Sequence, residues 1–483
     1  MHYAGPFLLE RLNQPVQILF RNWNYPENSY PASLFEFSSS HPDEIAVNAL
    51  GQVTALKDAG QSRITVKAKG QNWKDEYLLS VNQLDSDGSR YQTWRVNQET
   101  YIYQRDSQIA MDGQGNFLIV WSQYVQNPDN SLESYHYQIM GQRYDSQGKP
   151  LGLAFNIGET SIYSEGQNHA SLAMQKNGDF VVVWTYKYDK LWGQTFDKSG
   201  QAKGSPFLIS ETTSMLASMS DGNKASVAMA ENGDFAVSWT GFSGVQGAES
   251  HAYYRLYSAT GQPKVPEMKT PFQDAIHPQI AMDARGNFVL VTKYLSAILF
   301  DAAGRARSSV FKINATPFVK TDELPAISMN ASGEWVVAWT SYLETNSSRL
   351  FNSDSTRLVK VFARKFNAKG EPLGPELGVS GSGYFSNFSS PNLGLDLNDS
   401  GRFSVLWCEF INDSNDFWIR SYSPDLIPQI PEIHFLFHSG VMYPHPRLVL
   451  SEDGEAVMTW ESRRDSLDIF ARRIQLISNS SKN

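Results

Sequence analysis

Leu172-Ala-Met-Gln-Lys-Asn-Gly-Asp-Phe-Val-Val-Val-Trp184 decides the fold, because the chain repeats it. A short apolar segment leads to an Asn-Gly corner, and the corner leads to an unbroken apolar, β-branched run that ends in Trp. The pattern returns at Ile109–Trp121, Val227–Trp239, Ile327–Trp339 and Leu393–Trp407. Weaker copies complete a set of eight whose glycines are Gly51, Gly115, Gly178, Gly233, Gly286, Gly333, Gly401 and Gly454. Their intervals of 64, 63, 55, 53, 47, 68 and 53 residues suit one four-stranded unit per copy, the period range of propeller blades.

Each part of a copy has a physical reading. The second position of the first strand holds Ala46, Ala110, Ala173, Ala228, Ala281, Ser328, Gly394 and Val449, and such mostly small residues suit a place where copies converge. The corner carries Asp or Asn early and Gly late, as in Asp112-Gly-Gln-Gly115, because Asp and Asn cap a turn and Gly tolerates positive φ. The second strand does not alternate, so both its faces must be covered, as they are for a blade held between two others. A third strand ends in an aromatic residue before a second corner, as in Phe196-Asp-Lys-Ser-Gly200. A fourth follows, as in Trp94-Arg-Val-Asn97 and Phe207-Leu-Ile-Ser210.

These features predict an all-β, eight-bladed β-propeller of four-stranded antiparallel blades. The last copy runs out of chain after its third strand, so an N-terminal strand is expected to close the ring and remove two sheet edges. Phe35-Glu-Phe-Ser38 is the favoured closing strand and Pro6-Phe-Leu-Leu9 the alternative. Residues 1–32 are then a cap or extra edge strand, and residues 33–483 one propeller domain with eight repeats. Lys57 and Thr292 stand where Trp is expected in the first and fifth copies, and if the first is not a true blade the ring has seven.

Composition narrows the function classes. A net charge of −9 without clustered Lys and Arg argues against nucleic acid. Cys408 is the single cysteine, so there is no disulfide framework and no thiolate metal site; following a core Trp, it reads as a small buried residue. No apolar run is long enough to span a bilayer, and Met1–Phe20 is too interrupted by polar residues for a signal peptide. A monomer is expected, and no cofactor or metal signature stands out.

Two patterns point to binding. The long insertions Tyr124–Tyr137, Gly241–Tyr253, Ser341–Lys360 and Glu409–Trp418 all fall on the face opposite the tight corners, and long loops on a rigid scaffold are where function concentrates. They and their flanks carry Tyr124, Tyr186, Tyr342 and Phe410, aromatic platforms suited to sugar rings or protein partners. His41, His169, His277 and His445 share one repeat position, nine or ten residues before the glycine, with Asp106 and Lys224 at the same place in other copies. If the first strand lines the axis, these side chains approach the channel mouth, where a partial histidine ring suits a metal, an anion or a ligand carboxylate. The structural alternative is a position that favours residues able to cap the loop. Asp129, Glu133, Asp189, Glu344, Glu409 and Glu461 are the carboxylates near that face, and no serine or cysteine lies in a nucleophile motif.

The stretches Ile280-Ala-Met-Asp-Ala-Arg-Gly-Asn-Phe288 and Leu172–Trp184, each with its following Asp-x-x-Gly corner, resemble the tandem repeats of large bacterial secreted or surface proteins. The resemblance covers residues 42–478. It implies a secreted or cell-surface protein, with a cytoplasmic one as the alternative. The reading that follows is a non-enzymatic binding propeller for glycan or protein; the alternative is a carbohydrate-active hydrolase or lyase with carboxylates or His at the channel mouth.

Overall fold

The computed structural model describes residues 2–4, 8–9, 16–17, 19–22, 25–56, 60–70, 74–81, 94–97, 103–126, 135–158, 167–186, 190–211, 225–243, 249–272, 277–315, 325–342, 357–380, 384–386, 393–411, 414–430, 432–437, 445–463 and 467–476. It is a β-propeller of four-stranded antiparallel blades with seven blades, not eight. The innermost strands, in blade order, are Gln104–Met111, Gln167–Met174, Ser226–Met229, Gln279–Met282, Ala326–Met329, Leu393–Leu397 and Arg447–Leu450. Each inner strand lies beside that of the next blade, and the seventh lies beside the first, so the ring is closed.

The missing eighth blade is the first copy. Its Gly51 corner forms a real hairpin, Ile45–Val47 with Gln52–Ala55, but that hairpin pairs with Val16–Gln17 and has no third strand of its own. The reason lies in the second strand: Gln52-Val-Thr-Ala alternates, and the sequence has Lys57 where a blade has Trp, so it offers one face for burial where a blade needs two. Phe35–Ser39, the expected closing strand, pairs instead with Gly60–Ala68. The strand that closes the ring is Trp94–Arg95, which pairs with Leu467–Gln475, Trp94 opposite Ala471. It does come from the N-terminal side, yet it is the fourth strand of the last blade and not of the first copy.

Within each blade the repeat residues do defined work. Trp121, Trp184, Trp239, Trp339, Trp407 and Trp460 are all at most 2% exposed, and truncating such a side chain to Ala costs about 3–5 kcal/mol. The aromatic residue ending the third strand stacks on the one opening the second: Phe117 on Tyr144, Phe180 on Phe196, Phe235 on Tyr257, Phe288 on Phe300, Trp335 on Phe366 and Phe403 on Tyr422. Their interplanar angles run only from 7° to 13°, cross-strand pairs that fix register as well as bury area. The second corner of each blade packs on the first. Gly233 adopts φ +87°, and a Cβ there would meet Ala259 Cβ at 2.6 Å, so only glycine fits.

The tight corners are also stitched to one another round the rim. Gly113 N donates to Lys176 O, Gln175 Nε2 to Glu231 O, Glu231 N to Ala284 O and Ala284 N to Ala331 O. Ala331 N donates to the Asp399 carboxylate, and Asp399 N to that of Glu452. Blade 4 is the exception on the opposite face: its second strand stops at Val291 and turns at once through Thr292 and Leu295, whose φ is +55°. Among the described residues, no helix is long and apolar enough to cross a membrane.

Candidate functional site

The inner strands enclose an axial channel of about 730 Å³ that every blade lines. Near the corner face, Met111, Met174, Met229, Met282, Met329, Leu397 and Leu450 occupy one repeat position and give the channel an apolar collar. One residue earlier the strands carry Ala, Ser or Val, except in blade 6. There the register sets Asp396 opposite Ser404, as Ala110 is set opposite Leu118, so Asp396 and not Gly394 holds the small-residue position. Its carboxylate accepts from Ser328 Oγ at 2.9 Å, Leu450 N at 2.8 Å and Leu397 N at 2.9 Å, joining blades 5, 6 and 7. Removal from bulk water pushes its pKa up, against the pull of those hydrogen bonds. At the corner-side mouth Lys176 of blade 2 forms an ion pair with Asp399 of blade 6.

At the other end of the inner strands the histidine position shows its physical basis. Asp106, His169, His277 and His445 have φ of 59°, 51°, 55° and 42°. L residues avoid this left-handed region, and Asn, Asp and His are the residues most tolerant of it. The recurrence is therefore a backbone requirement first. His41 is not part of it: it lies in the segment before Trp94, exposed, with Nδ1 3.0 Å from Ser40 Oγ. Lys224 falls outside the described residues.

The turned-out backbone N–H at this position needs an acceptor, and the preceding blade supplies it. His277 N donates to Thr240 Oγ1 at 2.8 Å, and Asp106 N donates to Glu461 Oε1 at 2.6 Å. Thr240 and Glu461 occupy one repeat position, the residue after the core Trp. Across the blades it reads Ser122, Thr185, Thr240, Lys293, Thr340, Cys408 and Glu461. Five of these are small; blades 4 and 7 carry the two charges.

In blade 7, Glu461 does more than cap. It is 2% exposed and also holds His445 Nδ1 at 3.0 Å. Asp106, equally buried, holds His169 Nδ1 at 2.9 Å. His445, Glu461, Asp106 and His169 thus form one chain of contacts across blades 7, 1 and 2. In blade 4 the surroundings are reversed. Burial, with Lys293 adding to it, drives His277 down to about 4, and its Nδ1 has no hydrogen-bond partner among the described residues.

Beside Asp106 lies an aromatic group. Tyr124 meets Tyr137 at 4.9 Å and Tyr103 at 6.4 Å between ring centroids, and Arg105 lies 4.6 Å over the Tyr137 ring. Tyr103 is 49% exposed. Of the other aromatic candidates, Tyr186 is half-buried at the end of its strand, while the side chains of Tyr342 and Phe410 fall outside the described residues. So do Asp129, Glu133, Asp189, Glu344 and the side chain of Glu409. Sequence reading had named Tyr124, Asp106, His445 and Glu461 separately; it missed Tyr103 and Arg105, whose neighbours are set by strand pairing. Cys408 is buried, as expected.

No protein-family model and no curated protein matches this chain. Among solved structures it is similar to a protein of unknown function from Dyadobacter fermentans DSM 18053, with 7% identity and a TM-score of 0.46 over 80% of this chain and 98% of that one. It is also similar to the hydrazine synthase of Kuenenia stuttgartiensis, with 11% identity and a TM-score of 0.43 over 76% of this chain and 95% of that one.

Proposed function

We propose that this protein is a non-enzymatic binding propeller, secreted or displayed at a cell surface and acting as a monomer, that takes a glycan on the face opposite the tight corners. The observation that carries the reading is the group formed by Tyr103, Tyr124, Tyr137 and Arg105 at the end of blade 1 away from the tight corners. Tyrosine rings give a sugar a flat apolar surface and a hydroxyl handle, and a guanidinium held over one of them adds donors without losing its own order. The acidic net charge leaves nucleic acid unfavoured as a ligand.

Hydrolysis by the nearby carboxylates is the less favoured reading. Asp106 and Glu461 are each only 2% exposed, so neither carboxyl is presented to a polysaccharide. A glycan-array screen of the wild-type chain and Tyr124→Ala, run beside a polysaccharide-degradation assay, tests the proposal. Binding that Tyr124→Ala weakens, with no product released, is expected. Product formation, or an array signal indifferent to Tyr124, overturns it.

A further inference from the structure

We propose that Asp106, His445 and Glu461, with His169 joined through Asp106, form a site for a divalent transition-metal ion of the zinc type where blade 7 meets blade 1. One ligand atom from each of Asp106, His445 and Glu461 lies within 4.8 Å of the others. Imidazole nitrogen and carboxylate oxygen are zinc donors, bonded at about 2.0–2.2 Å, which makes the edge of a tetrahedral site about 3.3–3.5 Å. The present contact of His445 to Glu461, 3.0 Å, is a few tenths of an ångström short of that edge, and His169 holds Asp106 from behind at 2.9 Å. An ion entering the cluster has only to spread the donors slightly. One imidazole nitrogen and two carboxylates fit zinc better than calcium, which takes six to eight oxygens.

Charge supports the same assignment. Asp106 and Glu461 are each 2% exposed and meet directly, the Asp106 N–H donating to Glu461 Oε1 at 2.6 Å. Buried carboxylates are expensive unless paired. A divalent cation neutralises both carboxylates at once.

The repeat separates this cluster from ordinary capping. The backbone N–H that Glu461 accepts from Asp106 is met in the equivalent interface by the hydroxyl of Thr240, so capping alone does not call for a carboxylate. Glu461 is a departure from the repeat that adds a charged ligand. It adds it where His445 of its own blade and Asp106 of the next converge.

The test uses the full chain, stripped with chelator, and zinc chloride as the only probe. Isothermal titration of the wild type is compared with Glu461→Thr, which restores the residue other blades use, and with His445→Asn, which keeps a side chain tolerant of positive φ. His277→Asn is the control for a histidine at the same repeat position outside the cluster. One zinc per chain is expected in the wild type and in the control, with affinity at least about 100-fold weaker in the other two, since even residues behind the ligands cost 10–100-fold. Cobalt substitution should give tetrahedral absorption bands that Glu461→Thr and His445→Asn lose. Absence of zinc binding by the folded wild type, or equal affinity in all four proteins, overturns the proposal and leaves a hydrogen-bonded clasp.

Discussion

Blades 4 and 7 place a histidine at the same repeat position, in the same left-handed backbone state, and surround it with opposite charges. His277 has Lys293 after the Trp position and Thr240 capping its N–H; His445 has Glu461 in its own blade and shares that carboxylate with the N–H of Asp106. The backbone is common property of the repeat, while the chemistry is set by the one residue that follows the Trp position. The residue following the Trp position makes one histidine a buried neutral ring and another part of an acidic cluster.

The comparison can be broken first at Glu461. Glu461→Ala removes one member of a buried network and strands the Asp106 N–H; it is expected to lower stability by about 3–5 kcal/mol in urea unfolding. Glu461→Thr keeps an acceptor and should recover most of that, so equal losses in the two variants would show that the N–H is not what Glu461 satisfies.

Blade 4 should answer to pH instead. Above pH 6.5 His277 is neutral in both the folded and unfolded chain and contributes nothing. As pH falls through 6.5 the unfolded chain takes up a proton that the folded chain refuses until about 4, so stability declines across that window and levels off below it. The full loss is about 2–4 kcal/mol. His277→Asn should remove this component, read as the difference between urea midpoints of the two proteins from pH 7.5 to 4; parallel curves would sink the assignment. Thr240→Val, which deprives the His277 N–H of its acceptor, should cost about 1–3 kcal/mol at neutral pH. The smallest effect belongs to Lys293→Met: with the neighbouring cation gone, His277 should titrate at higher pH in an NMR titration, burial still holding it below its ordinary value.

The fold was legible because its markers are local. A corner glycine such as Gly233, a buried Trp239 and the Phe235–Tyr257 stack all lie within one copy, and each names its own place in a blade. What was not legible is what depends on distant chain. Trp94-Arg-Val-Asn97 was recognised as a fourth strand, but nothing in those residues says which sheet it joins, and its partners lie past Leu467. The first copy was miscounted for the opposite reason: its Gly51 corner is genuine, and only the alternation of Gln52–Ala55 separates it from the unbroken apolar runs of the true blades. The histidine position was visible as a pattern, and its cause could have been suspected from the shared tolerance of His and Asp for positive φ. Glu461 beside Asp106 was beyond reach, since 355 residues separate them and no period connects a blade to its neighbour across the closure.

The strand that closes the ring also sets a clock. Asn97 Nδ2 bonds Asp468 Oδ1, a residue synthesised 371 positions later. At about 5–20 residues per second, Trp94–Asn97 waits roughly 20–70 seconds on the ribosome before its sheet exists. Six blades have time to form and stack while the first one still lacks a neighbour on one flank. Ring closure is then a docking of blade 7 onto blade 1 and of Trp94–Arg95 onto Leu467–Gln475.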